Sequence, residues 1–358
     1  METRLDELTG RLYAEAISCR AALSDVALAE RAQAGQQAGR GPFASTAEYL
    51  ADLSSRTVCL TLLAGSGSRW VKSLAPKEGR SAELAAQAAA FDPMRPRGLF
   101  PVRDFLHGGG LRAPIASYAL AAVDGLGRHL VVVRGWEAEI DDEILSPLGI
   151  GKRDRDFFTQ ATSFGKPLGH GDAAWQCRDL FRGADYVVTN FGGDANSRRT
   201  ILSSLFALDA LRASGHRVDL LIPATRLESP AYPIGLGASG LPRSFGHSKL
   251  QGHGQTAGPG YTNVGVRVYS TPALLREVEA FRESYWVEGS GYAIPGNDPE
   301  GHEFALDNVD ALLASEGRAR ILAIARPEEL TPAKSVEDIP AFERAIESVV
   351  AEDAGLRR

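Results

Sequence analysis

A basic excess, paired cysteines and long apolar runs are all missing from this chain of 358 residues. Its net charge is −6, so no positive field draws it to nucleic acid or an anionic membrane. Cys19, Cys59 and Cys177 are few and far apart, which argues against a disulfide framework and a zinc cluster. No apolar stretch approaches the roughly 20 residues that span a bilayer. The opening Met1-Glu2-Thr3-Arg4-Leu5-Asp6-Glu7-Leu8 is acidic and amphipathic, not a charged cap on an apolar run, and does not read as a signal peptide. The expectation is a cytoplasmic protein with no nucleic-acid or membrane partner, its oligomeric state left open.

What is present is ordinary for a globular protein: 44% hydrophobic and 23% charged residues, enough for a substantial core. Leu8, Leu12, Ala16, Ile17, Leu23, Val26 and Leu28 recur at helical spacing and predict an N-terminal helical extension over residues 1–50. Gly35, Gly39 and Gly41 predict a joint near Ala38 to Phe43. A continuously apolar strand follows at Val58–Leu63, of the kind buried on both faces of a parallel sheet. Similar strands are expected at Leu130–Val133, Tyr186–Thr189, Val218–Ile222, Val264–Tyr269 and Ile321–Ile324. Helical patterns lie between them, as at Pro114–Val123 and Thr200–Ala213. This alternation predicts an α/β fold: a mixed, mostly parallel, Rossmann-like sheet with helices on both faces. Residues 51–320 are read as its main domain and residues 321–358 as a C-terminal strand and helix packed on it. An Ala-rich insertion from Arg80 to Pro96 predicts a short helix. The Gly- and Pro-rich stretch from Pro230 to Gly260 predicts loops.

Five short constellations could carry chemistry. First, Leu63-Ala64-Gly65-Ser66-Gly67-Ser68-Arg69 follows the first core strand. Glycines there let backbone N–H groups approach phosphate oxygens, and Arg69 adds charge. The spacing matches neither the dinucleotide fingerprint nor the Gly-Lys-Ser/Thr phosphate loop. Second, Gly165-Lys166-Pro167-Leu168-Gly169-His170-Gly171-Asp172 is a turn-rich loop. Third, the strand Tyr186-Val187-Val188-Thr189-Asn190-Phe191 ends in Gly192-Gly193-Asp194, which puts a carboxylate at the ligand edge of a parallel sheet. A helix-capping aspartate is the plainer reading. Fourth is Glu303-Phe304-Ala305-Leu306-Asp307. Fifth is Lys249 in His247-Ser248-Lys249-Leu250, for which a solvated loop lysine is the alternative.

Taken in order, these elements resemble the sugar-1-phosphate nucleotidyltransferases, and the UDP-glucose and UDP-sugar pyrophosphorylases in particular. The resemblance runs from about Val58 to about Ile346. The glycine loop is similar to that family's signature. Pro96-Arg97-Gly98-Leu99-Phe100-Pro101-Val102 matches its Pro-Lys-x-Leu-x-Pro-Val element, with Arg97 where the family has lysine and a longer gap before it. Lys72 or Lys77 is an alternative source of the missing ammonium. Lys166-Pro167-Leu168-Gly169-His170-Gly171-Asp172 looks like the uracil-contacting loop, so the resemblance implies UTP. It also implies nucleotide contacts from Leu63 through Ser68, from Gly169, His170 and Gly171, and from Gly193. By the same resemblance, Asp194 and Asp307 would hold Mg2+, Arg69 and Arg97 would face the triphosphate, and Lys249 would orient the sugar phosphate. Glu328 through Ile339 looks like the family's closing strand and helix start, with Ser335-Val336-Glu337-Asp338 a plain capping pattern.

The implied reaction joins UTP to a sugar 1-phosphate and releases pyrophosphate. A guanylyl- or cytidylyltransferase acting on a cyclitol phosphate is one alternative. A glycosyltransferase of related fold is another, although Gly193-Asp194-Ala195-Asn196 lacks the second aspartate of an Asp-x-Asp motif. A non-catalytic nucleotide-binding homologue is the third.

Overall fold

The computed structural model describes residues 46–65, 67–108, 111–230, 233–237, 240–245, 259–295 and 302–353. The expected N-terminal extension and its joint lie almost wholly outside the described residues, as do Ser66 and Lys249. The first described element is α1 (Thr46–Ser55), followed by β1 (Thr57–Leu62), the short α2 (Ser68–Ser73) and α3 (Ala82–Ala90). That third helix is the one expected in the Ala-rich insertion. A 3-10 turn at Arg97–Leu99 leads into a hairpin of β2 (Pro101–Arg103) and β3 (Arg112–Pro114). Then come α4 (Ala116–Val123), β4 (Arg128–Val133), α5 (Glu137–Ile140), β5 (Arg155–Thr159), α6 (His170–Gln176), β6 (Tyr186–Phe191) and α7 (Arg198–Ala213). The last part holds β7 (Leu220–Leu227), β8 (Ile234–Leu236), β9 (Pro242–Phe245), β10 (Gly260–Asn263), β11 (Arg267–Ser270) and α8 (Thr271–Tyr285). It closes with β12 (Trp286–Val287), β13 (Gly291–Tyr292), α9 (Leu306–Ser315), β14 (Ala319–Leu322) and α10 (Ile339–Asp353).

Among the described residues, ten strands form one mixed sheet in the order β5-β4-β1-β6-β11-β7-β10-β8-β9, with β14 on the other side of β7. Strands β5, β4, β1 and β6 are parallel neighbours. The α/β class and the parallel core therefore match the expectation. Two readings need correction. Val264–Tyr269 is not one parallel strand: β10 and β11 flank a break at Val264-Gly265-Val266, and β11 runs antiparallel to both β6 and β7. Gly265 takes φ +89°, a left-handed conformation open to glycine that ends the ladder. The described part of Pro230–Gly260 is not all loop either, since β8 and β9 extend the sheet antiparallel beyond β10.

Both faces of the parallel core are covered. Val58, Leu60, Leu130 and Val132 pack with Leu274, Val278, Val309 and Leu313 of α8 and α9. Cys59, Tyr186 and Val188 pack against Ile201, Leu205 and Leu208 of α7. Val131 and Val133 share a cluster with Leu120 of α4 and with Phe342 and Ile346 of α10. Period-2 alternation with both sets apolar is what makes each core strand read as a continuous apolar run.

The C-terminal helix is tied to the sheet through the start of α7. Ser197 caps that helix, and its hydroxyl donates to Asp353 Oδ1 at 2.9 Å. The Arg198 N–H donates to Asp353 Oδ2, and the Ser197 N–H donates to Glu329 Oε2 at 2.9 Å. Glu329 is 1% exposed, and burial pushes its carboxyl up to about 7 despite these donors. Burial also raises Asp353. A carboxyl raised in the fold keeps a proton that the unfolded chain has already released, so stability falls as pH climbs from the ordinary carboxylate range to about 7. The predicted span of that loss is on the order of a few kcal/mol. Urea titrations from pH 5 to 8 should show it, and Glu329→Gln should flatten the slope. A wild-type stability that is level or rising over this range contradicts the assignment.

Candidate functional site

From β1 the chain moves to β4 and β5 on one side, then returns to β6 on the other. At such a reversal the loops leaving the two strands diverge, and a crevice opens at their carboxyl ends. The glycine loop leaves β1 and Gly192-Gly193-Asp194 leaves β6, so both sequence-predicted segments sit on this crevice. Buried side chains beneath it hold the strands in register. Thr61 Oγ1 donates to Asn190 Oδ1 at 2.7 Å, and Asn190 Nδ2 donates to the Ala119 carbonyl at 2.8 Å.

Leu63 continues β1, its N–H donating to the Val132 carbonyl at 2.8 Å. Ala64 is buried, Gly65 is exposed, and Gly67 is left-handed at φ 63° just before α2. Ser68 and Arg69, at the start of that helix, are both exposed. The Arg97 turn docks onto this loop because Gly98 has no side chain: a Cβ there would lie 3.1 Å from Ala116 Cβ and 3.3 Å from Leu63 Cδ2. This docking lays the Arg97 guanidinium on the backbone of Gly193, where a Cβ would meet Nη2 at 2.4 Å. Burial lowers the pKa of Arg97, Asp194 opposes that shift, and the neighbouring positive charge of Arg69 adds to it. The two predicted arginines thus converge. Lys72 and Lys77 are exposed, and Lys77 pairs with Glu337 at 3.7 Å.

Asp194 stands at the centre of the charged groups. Its Oδ2 occupies the space a Cβ on Gly265 would need, at 2.3 Å. None of the described hydrogen bonds or ion pairs ends on its carboxylate. Burial raises its pKa to about 6, against the pull of Arg97, Lys334 and Arg267. Lys334 and Arg267 were not anticipated from sequence. Lys334 arrives from the far end of the chain, where the Ala333 N–H donates to the Gly193 carbonyl at 2.9 Å. The predicted capping pattern anchors that segment: Asp338 Oδ2 accepts from the N–H groups of Lys334 and Ser335 and from the Ser335 hydroxyl.

Asp307 is placed differently. Arg267 Nη2 donates to its Oδ1 at 2.9 Å, while Arg267 Nε donates to Asp310 Oδ2 at 2.7 Å. The Tyr269 hydroxyl donates to the other oxygen of Asp310. His170 Nδ1 accepts the Leu306 N–H at 3.0 Å, so in neutral His170 the proton sits on Nε2, 3.4 Å from Asp307 Oδ2. His170 also meets the Phe191 ring edge-on at 5.2 Å, which brings its loop to the crevice. Gly169 and Gly171 are the close-approach points of that loop. A Cβ on Gly169 would lie 2.4 Å from the Phe304 carbonyl, and one on Gly171 would lie 2.9 Å from the Phe304 ring.

Asp194, with no described donor on its oxygens and an elevated pKa, suits a hard divalent cation. Asp307 already faces a guanidinium and an imidazole. Among the described residues no group of three or more His, Cys, Asp or Glu side chains converges as a ready metal cage. A scan against protein-family models found no match, and neither did a search of curated proteins. No helix among the described residues is long and apolar enough to cross a membrane.

Two glycines separate fold from function here. Gly169 has φ +96° and faces backbone, so Gly169→Ala should destabilise the protein by about 2 kcal/mol or more. At Gly193 the obstacle is the tip of a flexible arginine, so Gly193→Ala should cost little stability but displace Arg97. Thermal melts of the two variants check this ranking, and equal losses would refute it.

Proposed function

We propose that the crevice between β1 and β6 joins a nucleoside triphosphate, UTP by preference, to a sugar 1-phosphate, releasing pyrophosphate. The observation that carries this reading is the gathering of Arg97, Lys334 and Arg267 around Asp194, with Arg69 beside Arg97, where the strand order reverses. Both substrates of such a reaction are anions, so neutralisation and positioning dominate catalysis. The nucleophile is already a phosphate oxygen, and no general base is required.

The glycine loop offers backbone N–H groups to the triphosphate. Arg97, held against Gly193, and Arg69 draw charge from the phosphates as the α-phosphorus is attacked in line. Lys334 reaches the same place from the C-terminal segment and counters charge on the leaving pyrophosphate. The Gly169-His170-Gly171 loop, backed by Phe304 and adjoining Phe191, lines the base side, which supports UTP through the resemblance of its sequence. Mg2+ bound at Asp194 would supply further charge neutralisation, and one carboxylate is a sufficient protein share when phosphates provide other oxygens. Asp307 then serves the site by fixing Arg267 and His170, in place of the direct metal contact that the sequence suggested. Lys249 keeps its proposed role toward the sugar phosphate on sequence grounds alone.

Pyrophosphate release with Mg2+, UTP and a panel of sugar 1-phosphates is the test, with GTP, CTP and dTTP run in parallel. Arg97→Ala, Lys334→Ala and Asp194→Asn should each lower kcat/KM roughly 100-fold. Wild-type turnover by correctly folded Asp194→Asn would sink the metal assignment. Tight nucleotide binding without turnover on any acceptor would favour a non-catalytic role. Since Asp194 must ionise against a pKa of about 6, activity should also rise as pH passes upward through that value.

A further inference from the structure

A concavity lies beside the turn that follows Asp194. It measures about 230 Å3 and is walled by Phe105, Leu106 and Tyr118, by Ala121 and Ala122 of α4, and by Ile346, Val349 and Val350 of α10. For comparison, an engineered apolar cavity of about 150 Å3 accepts benzene. Ala195 and Asn196 also line it, so the chain passes from the crevice to this cavity within two residues of Asp194. Asn196 is 3% exposed, and among the described residues neither its Oδ1 nor its Nδ2 has a hydrogen-bond partner. A buried amide unsatisfied at both ends costs about 1–3 kcal/mol for each group. The other polar wall residue, Asp353, is engaged by Ser197 and the backbone of α7, and its charge disfavours an anion. The phosphorylated substrates proposed for the crevice are therefore the wrong chemistry here.

We infer that this cavity is a binding site for a neutral molecule of one or two rings that carries a hydrogen-bond donor and acceptor side by side on one edge. Such a lactam-like edge pairs with the carboxamide of Asn196, accepting from Nδ2 and donating to Oδ1, while the ring body fills the apolar walls. The inference is independent of the reaction assigned to the crevice. Ordered water is the competing partner for Asn196.

The full-length chain is titrated calorimetrically with 2-quinolone, a neutral bicyclic lactam, and with N-methyl-2-quinolone, which lacks the donor. Wild type should bind 2-quinolone saturably and the N-methyl compound at least about tenfold more weakly. Asn196→Leu should abolish that preference, which a purely steric effect of the methyl group would not do. Val350→Trp, a substitution at a half-buried wall position, should weaken both probes at least about tenfold by filling space. Melting curves in the absence of probe verify that both variants are folded. Failure of 2-quinolone to bind wild type, equal binding of the two compounds, or a preference retained by Asn196→Leu would each overturn the proposal. Unchanged binding to folded Val350→Trp would place the site elsewhere and overturn it as well.

Discussion

Where β1 and β6 end, the Gly192 N–H donates to the Leu62 carbonyl at 3.2 Å. The side chains of Leu63 and Arg97 occupy the room that Gly192 and Gly193 leave, and the candidate site depends on that contact. A Cβ on Gly192 would fall 1.8 Å from Leu63 Cδ2, and one on Gly193 would strike the Arg97 guanidinium. The Arg97 side chain can give way at a modest cost in stability, so the glycine at 193 fixes how deeply Arg97 sits and not whether the chain folds. Thr61 and Asn190 then hold the strands beneath in register. Slipping one strand by a residue would orphan both groups and turn each strand's core face to the wrong side.

Electrostatics follows from this packing. Asp194 is brought among Arg97, Lys334 and Arg267 without a direct hydrogen bond to any of them, and burial outweighs their combined pull. Asp307 and Asp310 take the opposite course, sharing Arg267 in a fully buried network with Tyr269. Leaving one member of such a network unpaired is far costlier than the net value of the pairing. Arg267, Asp307 and Asp310 therefore form a buried, mutually paired wall, whereas none of the described hydrogen bonds or ion pairs ends on the carboxylate of Asp194. An acidic protein can in this way present a local positive field to an anionic ligand.

The sequence made legible those parts of the site that follow strand ends. A glycine-rich turn after an apolar run, and a second run ending in Gly-Gly-Asp, are local signals, and parallel sheets place such ends together. Arg97 was also readable, through the element around it. Lys334 and Arg267 were not, because their roles exist only through contacts with residues distant in the chain. Lys334 looks like a solvated lysine until Ala333 bonds Gly193. Arg267 sits inside an alternating apolar stretch that reads as one strand. A glycine two residues earlier was the available signal, since glycine inside a strand pattern often marks a break or a close approach. The antiparallel course of β11 was likewise hidden: both orientations bury the same faces, and only the path of the connecting chain distinguishes them.

Arginine at position 97 accords with its floor. A planar guanidinium can lie against the bare peptide of Gly193 and still present N–H groups at its edge, whereas an ammonium is a compact point charge that such a surface does not orient. The same peptide is held from behind, since the Gly193 carbonyl accepts the Ala333 N–H. Through that bond the C-terminal segment fixes the floor of Arg97 and delivers Lys334 beside Asp194. Further along, Glu329 and Asp353 lock the start of α7, only a few residues past Asp194. The residues after β14 thus place both a backbone support and a positive charge beside Asp194.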